Sequence, residues 1–273
     1  MRPPPPVKSR GQHFLKDERV VHKIVDLLNL ADAETIVEVG PGRGALTGAL
    51  VDTGKAVVAV EPDSRMIQFL TKRFGTRLTL VHDSVLNVKA ADILPARGGR
   101  AVLAGNLPYN LSGPILGWIF ASAAHWRQAV VMLQLEVARR LVASPATRDF
   151  GPLAVACALD FSATKRFLVR PGAFFPVPEV TSAVVELVPH SEPPIRVDDR
   201  EDFMRFVHAL FAHRRKNLRN NLLAAGGEAQ WCERAMATAG VDGRLRGEQL
   251  RWQNLASLYR AVCPFSGNFT HGS

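Results

Sequence analysis

Thr35-Ile36-Val37-Glu38-Val39-Gly40-Pro41-Gly42-Arg43-Gly44 runs from an apolar, β-branched stretch straight into a glycine-rich turn, and Ala45–Val51 continues with helical spacing. A short apolar run of this kind reads as a buried strand. Glycines at the turn let the backbone bend tightly and approach a ligand without Cβ interference. The next apolar run, Ala56–Val60, ends at Glu61, 21 residues after Gly40. A carboxylate there can accept both hydroxyl hydrogens of a ribose. Loop, context and acid together point to a nucleoside cofactor. The spacing is G-x-G-x-G with Glu38 two residues before the first glycine, whereas dinucleotide sites favour G-x-G-x-x-G. This form suits S-adenosylmethionine, whose charges lie in an amino acid rather than a pyrophosphate.

Working outward, Leu78–Val81, Ala101–Ala104 and Ala129–Leu133 read as further buried strands, and Arg65–Phe74 and Ile115–Ala123 as helices between them. That alternation predicts βαβ units and a mostly parallel sheet, an α/β fold of Rossmann-like type. Leu153–Phe161 and Thr181–Val188 read as strands without long helices between them, fit for an antiparallel edge. The pattern stops in a Pro/Ser/His stretch at 189–194, the best linker in the chain. Beyond it, Phe203, Phe206, Val207, Leu210 and Phe211 recur at helical intervals, and Leu255 to Val262 adds another apolar set. The expected division is a flexible N-terminus (1–10), a cofactor-binding domain (11–188), a linker (189–194), a small all-helical domain (195–263) and a flexible tail (264–273).

The third strand ends at His82-Asp83, and Asp83 can either accept from the adenine amino group of the cofactor or merely cap a helix. The fourth ends in Asn106-Leu107-Pro108-Tyr109. An exocyclic adenine amine is a poor nucleophile because its lone pair is delocalised into the ring. Acceptors that localise that pair, and in-line placement against a methyl donor, are what its methylation requires. The Asn106 side-chain oxygen and the Leu107 carbonyl can take the two N–H bonds. Pro108 stiffens the turn and adds no competing donor, and Tyr109 can stack on the base. The same residues also suit a simple β-turn. Phe174-Phe175-Pro176-Val177-Pro178 is a second aromatic, proline-stiffened loop, suited either to the other face of a base sandwich or to local packing.

Composition narrows the class of partner. The formal charge is +9, with 34 Lys and Arg against 25 acids, and the pI is near 10.0, a balance that favours a polyanion. Arg214, Arg215, Lys216 and Arg219 fall within six positions, and Lys165, Arg166 and Arg170 form a second group. Such groups make phosphate contacts that position without reading sequence. Cys157, Cys232 and Cys263 fit no metal spacing and read as reduced thiols of a cytoplasmic protein, so no metal is expected. No apolar run reaches the ~18 residues of a membrane helix, and Met1–Arg10 has no signal-peptide core.

Taken in order, Gly11-Gln12-His13-Phe14-Leu15, the Glu38–Gly44 loop, Asn106-Leu107-Pro108-Tyr109-Asn110-Leu111-Ser112, Gln134-Leu135-Glu136-Val137-Ala138 with Arg140, the Phe174–Ser182 segment and Arg214–Asn220 resemble the KsgA family of small-subunit rRNA adenine N6,N6-dimethyltransferases. The resemblance runs from about Ser9 to Val262. It implies a Rossmann-like class I methyltransferase domain with a helical C-terminal domain. It also implies a reaction, dimethylation of two adjacent adenosines in the 3′-terminal hairpin of 16S rRNA within a partly assembled small subunit. By position, Gln12, His13, Leu15, Gly40, Gly42, Glu61, Asp83 and Asn106 would touch S-adenosylmethionine. Asn106, Leu107, Pro108, Tyr109 and Phe174 would hold the target base, and Arg214, Arg215, Lys216, Arg219, Lys165 and Arg166 the RNA. His13 stands where many relatives have Asn, and Glu179 where a basic residue is common. The Erm type, which methylates large-subunit rRNA, shares the glycine loop and the Asn-x-Pro-aromatic site, and a non-catalytic assembly factor could share the fold. The Arg214–Asn220 segment and Asn110-Leu111-Ser112 favour the small-subunit enzyme. Nothing in the sequence demands more than a monomer.

Overall fold

The computed structural model describes residues 3–6, 12–94 and 101–262. In chain order, β1 (Phe14–Leu15) and α1 (Glu18–Asp26) lead to β2 (Thr35–Val39), α2 (Ala45–Val51), β3 (Ala56–Val60), α3 (Ser64–Phe74), β4 (Thr79–Val81) and α4 (Ala90–Ile93). Next come β5 (Ala101–Asn106), α5 (Ser112–Ala121), β6 (Trp126–Gln134), α6 (Leu135–Leu141), α7 (Pro152–Ala158), β7 (Phe161–Val169), β8 (Phe174–Phe175) and β9 (Ser182–Pro189). The chain ends in α8 (Arg200–Phe211), α9 (Leu218–Ala224), α10 (Ala229–Ala239) and α11 (Trp252–Val262). The expected flexible tail, 264–273, lies outside the described residues, as does most of 1–10.

Seven strands form one sheet in the order β4-β3-β2-β5-β6-β9-β7. β4 through β6 pair in parallel, and β9 enters antiparallel between β6 and the edge strand β7. All five residues of β2 are buried, as a strand covered on both faces requires. From β2 the chain winds outward to β3 and β4, then returns to place β5 on the other side of β2. In parallel α/β sheets a ligand sits beyond the carboxyl ends of the strands at such a reversal. Glu38 lies opposite Ala104 in the β2–β5 register, so the glycine loop after β2 and the Asn106 turn after β5 emerge side by side. A Cβ on Gly105 would lie 2.8 Å from the Val39 carbonyl oxygen, so only glycine lets the strands end this close together.

The chain divides into two compact units, 1–138 with 161–190, and 139–160 with 191–273. The helical unit is therefore discontinuous, where the sequence reading placed all of 11–188 in the cofactor-binding domain. Part of the reason is α7. Leu153–Phe161 was expected as a strand, but Pro152 occupies the first helical turn, where its missing N–H costs nothing, and Ala154, Val155 and Cys157 bury one helical face. A short apolar run does not by itself distinguish a buried helix from a strand; only Phe161 belongs to β7. In the helical unit Phe203, Phe206, Leu210, Leu222, Leu255 and Leu258 are buried together, each worth roughly 1.5–3 kcal/mol on leaving water. The Phe203 and Tyr259 rings meet edge-on at 5.0 Å, and the Tyr259 hydroxyl donates to Asp202 at 3.0 Å. Among the described residues no helix is long and apolar enough to cross a membrane, and no cluster of His, Cys, Asp or Glu could hold a metal ion.

Candidate active site

A pocket of about 420 Å³ opens at the carboxyl ends of β2, β3 and β5, a size usual for small-molecule sites. Gln12, His13 and Leu15, Gly40 and Gly42, Glu61, and Asn106, Leu107, Pro108 and Tyr109 all line it. Segments more than ninety residues apart in sequence, His13 and Asn106 among them, thus converge on one cavity.

Gly40, Gly42 and Gly44 all have positive φ, so the turn runs through backbone that side chains rarely tolerate. At Gly42, with φ +53°, a Cβ would also strike the Phe14 ring at 2.8 Å. The Gly42 N–H donates to Glu61 Oε2 at 3.2 Å and the Asp63 N–H to Glu61 Oε1 at 3.0 Å, which holds the buried Glu61 carboxylate at the mouth of the loop. Asp63 in turn caps α3, accepting from the Arg65 N–H.

Glu38 lines the same pocket and was not singled out as a site residue in the sequence, although it stands two residues before Gly40. It is buried, and its Oε2 has no hydrogen-bond partner. Burial pushes its carboxyl up to about 8, and the nearby Glu61 adds to the rise; Thr47 opposes it, although the Thr47 hydroxyl closes no hydrogen bond of good geometry. A polar atom buried without a partner costs free energy, and this one belongs to a residue that lines the pocket. Buried acidic side chains at 38 and 61 over a glycine cradle fit the ammonium, whose charge would favour ionised Glu38, and the ribose hydroxyls of S-adenosylmethionine.

At the other wall the Asn106 Nδ2 donates to the His13 carbonyl at 2.8 Å. With the amide nitrogen so engaged, Oδ1 is left as the acceptor side of the group. The Leu107 N–H is tied to the Met132 carbonyl at 3.1 Å, and Pro108 accepts from both the Leu111 N–H and the Ser112 hydroxyl, so the turn is fixed at each end. The Tyr109 ring stacks on the His13 ring at 5.1 Å and 27°, and its hydroxyl shares a hydrogen with Ser182 at 2.7 Å. Burial raises the phenol above its ordinary value, against the Ser182 hydrogen bond. His13 Nδ1 lies 2.8 Å from the Pro176 carbonyl. His13, expected only as a cofactor contact, therefore braces Asn106, Tyr109 and the 174–178 loop at once.

Three sequence-predicted residues stand differently. Phe174 is 0% exposed, packed in the core of the first unit and not a wall of the pocket, because alternation along β8 turns it inward and Phe175 outward. Asp83 is exposed, and its Oδ1 accepts from the Ser84 N–H and Asn87 Nδ2 at 2.6 and 2.8 Å, while Ser84 is the residue that lines the pocket. Arg166 sits where the β7–β9 register shifts, and its guanidinium is bound to Glu186, which also accepts from Gln128. A bulge re-aims a side chain, and here it spends on an acid the charge expected for RNA. Lys165, beside it, is exposed.

The remaining basic residues lie in the helical unit, described by itself. Arg214, Arg215 and Lys216 are exposed on the turn between α8 and α9, not on a helix. Arg214 donates to the Arg148 carbonyl, and Arg219 pairs with Glu233 at 2.9 Å. The buried Asn221, which sequence reasoning passed over, bonds to the His213 N–H and to the His213 and Lys216 carbonyls, and so knits the turn that displays the cations.

The sequence profile of the family described as ribosomal RNA adenine dimethylase matches residues 7–261. The chain is 40% identical over 265 residues to the ribosomal RNA small subunit methyltransferase A of Geobacter metallireducens, covering 95% of this chain and 96% of that one. It is 38% identical to the protein of the same name from Myxococcus xanthus, covering 94% and 91%. Among solved structures it is similar to a dimethyladenosine transferase from Plasmodium falciparum (TM-score 0.73, 21% identity, 94% of this chain and 100% of that one). It is also similar to the 23S rRNA methyltransferase ErmE (TM-score 0.68, 25% identity, 92% and 99%).

Proposed function

The chain belongs to the ribosomal RNA adenine dimethylase family, and on that premise we propose that it methylates N6 of two adjacent adenosines in the 3′-terminal hairpin of 16S rRNA, twice each, with S-adenosylmethionine as donor. The reaction takes place in the cytoplasm on a partly assembled small subunit, and the protein acts as a monomer. The observation that carries the reading is Asn106, whose amide nitrogen is held by the His13 carbonyl and which lines the same pocket as the glycine loop.

When bound, S-adenosylmethionine supplies an electrophilic methyl. Glu61, Gly40, Gly42, Gln12, Leu15 and the orphaned oxygen of Glu38 would hold it. Asn106 Oδ1 and the Leu107 carbonyl accept the two amine hydrogens of the flipped adenine, which draws the nitrogen lone pair out of conjugation and aims it. The amine becomes acidic only after it gains the methyl, so its proton can pass to water and no strong base is needed. Tyr109, with one face on His13, offers the other to the base. Arg214, Arg215, Lys216, Arg219 and Lys165 would bear on the RNA backbone, where the Arg219–Glu233 surface pair is weak enough to yield to phosphate.

The likeness to ErmE makes large-subunit rRNA the competing substrate. Purified protein would be incubated with labelled S-adenosylmethionine and unmethylated small subunits, large subunits, free rRNAs or duplex DNA, and the label mapped by nucleoside digestion. Dimethyladenosine in the small-subunit 3′ hairpin is the expected result. Label in large-subunit rRNA would overturn the substrate and keep the chemistry; bound cofactor with no transfer would leave an assembly factor.

A further inference from the structure

Of the two rings in the 174–178 loop, Phe174 is buried and Phe175 is the one left exposed. Its side chain is 50% exposed, although it pairs across β1–β8 with the buried Phe14. Arg43 packs against it, with the guanidinium carbon 5.4 Å from the Phe175 centroid and 4.5 Å from that of Phe14. That guanidinium is pinned by two hydrogen bonds to the Pro4 carbonyl, from Nε at 3.1 Å and Nη2 at 2.7 Å. The ring is thus backed by a fixed cation and held out of the core.

Phe175 adjoins the pocket through its neighbours without lining it. Arg43 and Phe14 both line the cavity, and the neighbouring Pro176 carbonyl is bonded to His13, which stacks on Tyr109. Val177 and Val180, in the same loop, are also exposed. One ring and two valines are far too small for a protein interface, which needs on the order of 800 Å² from each partner. They are about the size of one nucleobase. A guanidinium behind a ring draws on its electrons and fits the outer face to the electron-rich surface of a base, and a cation lining the pocket also suits the phosphates of a strand that enters it.

We propose that Phe175, backed by Arg43, is a stacking platform for the nucleobase beside the target adenosine, a positioning residue that holds the RNA strand while the target is flipped. The inference rests on the reading of the pocket as an RNA adenine site. KM and kcat for unmethylated small subunits would be measured for the wild type, Phe175→Ala and Phe175→Trp, with the affinity of each for S-adenosylmethionine alongside. Loss of one stack is expected to raise KM for the subunit about 5- to 100-fold in Phe175→Ala, with cofactor affinity and kcat little changed, and Phe175→Trp should restore it. Unchanged KM in the alanine variant, or a tryptophan variant as poor as alanine, would overturn the platform. As a readout that does not depend on a variant, hairpin RNA carrying 8-azidoadenosine next to the target should photolabel the peptide containing Phe175; label confined to other peptides would overturn it. Wild-type protein that methylates normally while the platform fails leaves the pocket reading intact, whereas wild-type protein inactive on every subunit and rRNA overturns both.

Discussion

Two side chains in the pocket make opposite demands on their surroundings. Asn106 has its amide nitrogen bonded to the His13 carbonyl, which leaves the oxygen as the acceptor the proposed reaction would use. Replacing it with alanine removes the acceptor and leaves the glycine loop untouched. Asn106→Ala is expected to lower methyl transfer by at least about 10²-fold, the scale on which single preorganised polar groups act, with S-adenosylmethionine affinity changed much less. Full activity would sink the lone-pair argument. Glu38, by contrast, is held in a place that disfavours its charge. Its folded-state value near 8 lies above the ordinary 4.5, so in the folded protein the proton is kept where the unfolded chain has lost it. Stability from this group is therefore fully present below about pH 4.5 and is lost as pH rises toward 8. Thermal melting of the cofactor-free protein should show that decline between about pH 5 and 8, and Glu38→Gln should flatten it. A decline of the same slope in the glutamine variant would assign it to other groups. The sequence displayed Asn106 plainly, through the turn it sits in. It hid the role of His13, because a backbone carbonyl and a ring that brace residues far away in sequence leave no local pattern.

At the scale of elements, β2 and its turn were legible because every feature agreed: an apolar β-branched strand, glycines, then helical spacing. Ends of the parallel strands were legible within a few residues, and β9 is antiparallel as expected, but the edge strand is β7 (Phe161–Val169), which the sequence reading had placed at Leu153–Phe161. α7 was misread because Leu153–Ala158 is apolar at every position, which removes the periodicity that separates helix from strand. The two-residue ribbon of β1 and β8 was invisible, since two residues carry no period. Yet that ribbon sets which of Phe174 and Phe175 is buried, and it packs Phe14 under the glycine loop. Gly42→Ala tests the dependence. It combines a left-handed φ with a ring 2.8 Å from the new Cβ, so a loss of about 1–3 kcal/mol of stability is expected, together with weakened S-adenosylmethionine binding. Urea unfolding and calorimetric titration would check the two effects. A variant as stable as the wild type and equally tight for cofactor would mean that the ribbon and the loop move apart freely.

Over the whole molecule, the excess of +9 matters less than where it is left unspent. Arg65, Arg166, Arg200, Arg205 and Arg244 are each paired with a nearby acid, so a count of basic residues overstates what a polyanion can find. Clusters in the sequence could not reveal this, because partners such as Glu186 for Arg166 come from another strand. The α8–α9 turn is different in kind. Arg214, Arg215 and Lys216 stand exposed on a loop that the buried Asn221 ties down from beneath, which presents charge on a preorganised backbone. If that turn contacts phosphate, Arg215→Glu with Lys216→Glu should weaken RNA binding across sequences alike and lower the slope of log affinity against log salt by about 1 to 2. Asn221→Ala should weaken binding with much less change in slope at the affinities that remain, because it loosens the turn and removes no charge. Binding titrations from low to moderate salt would separate the two. An unchanged slope in the double charge reversal would take the turn off the RNA surface and move the electrostatic contribution to Lys165 and the cations around the pocket rim.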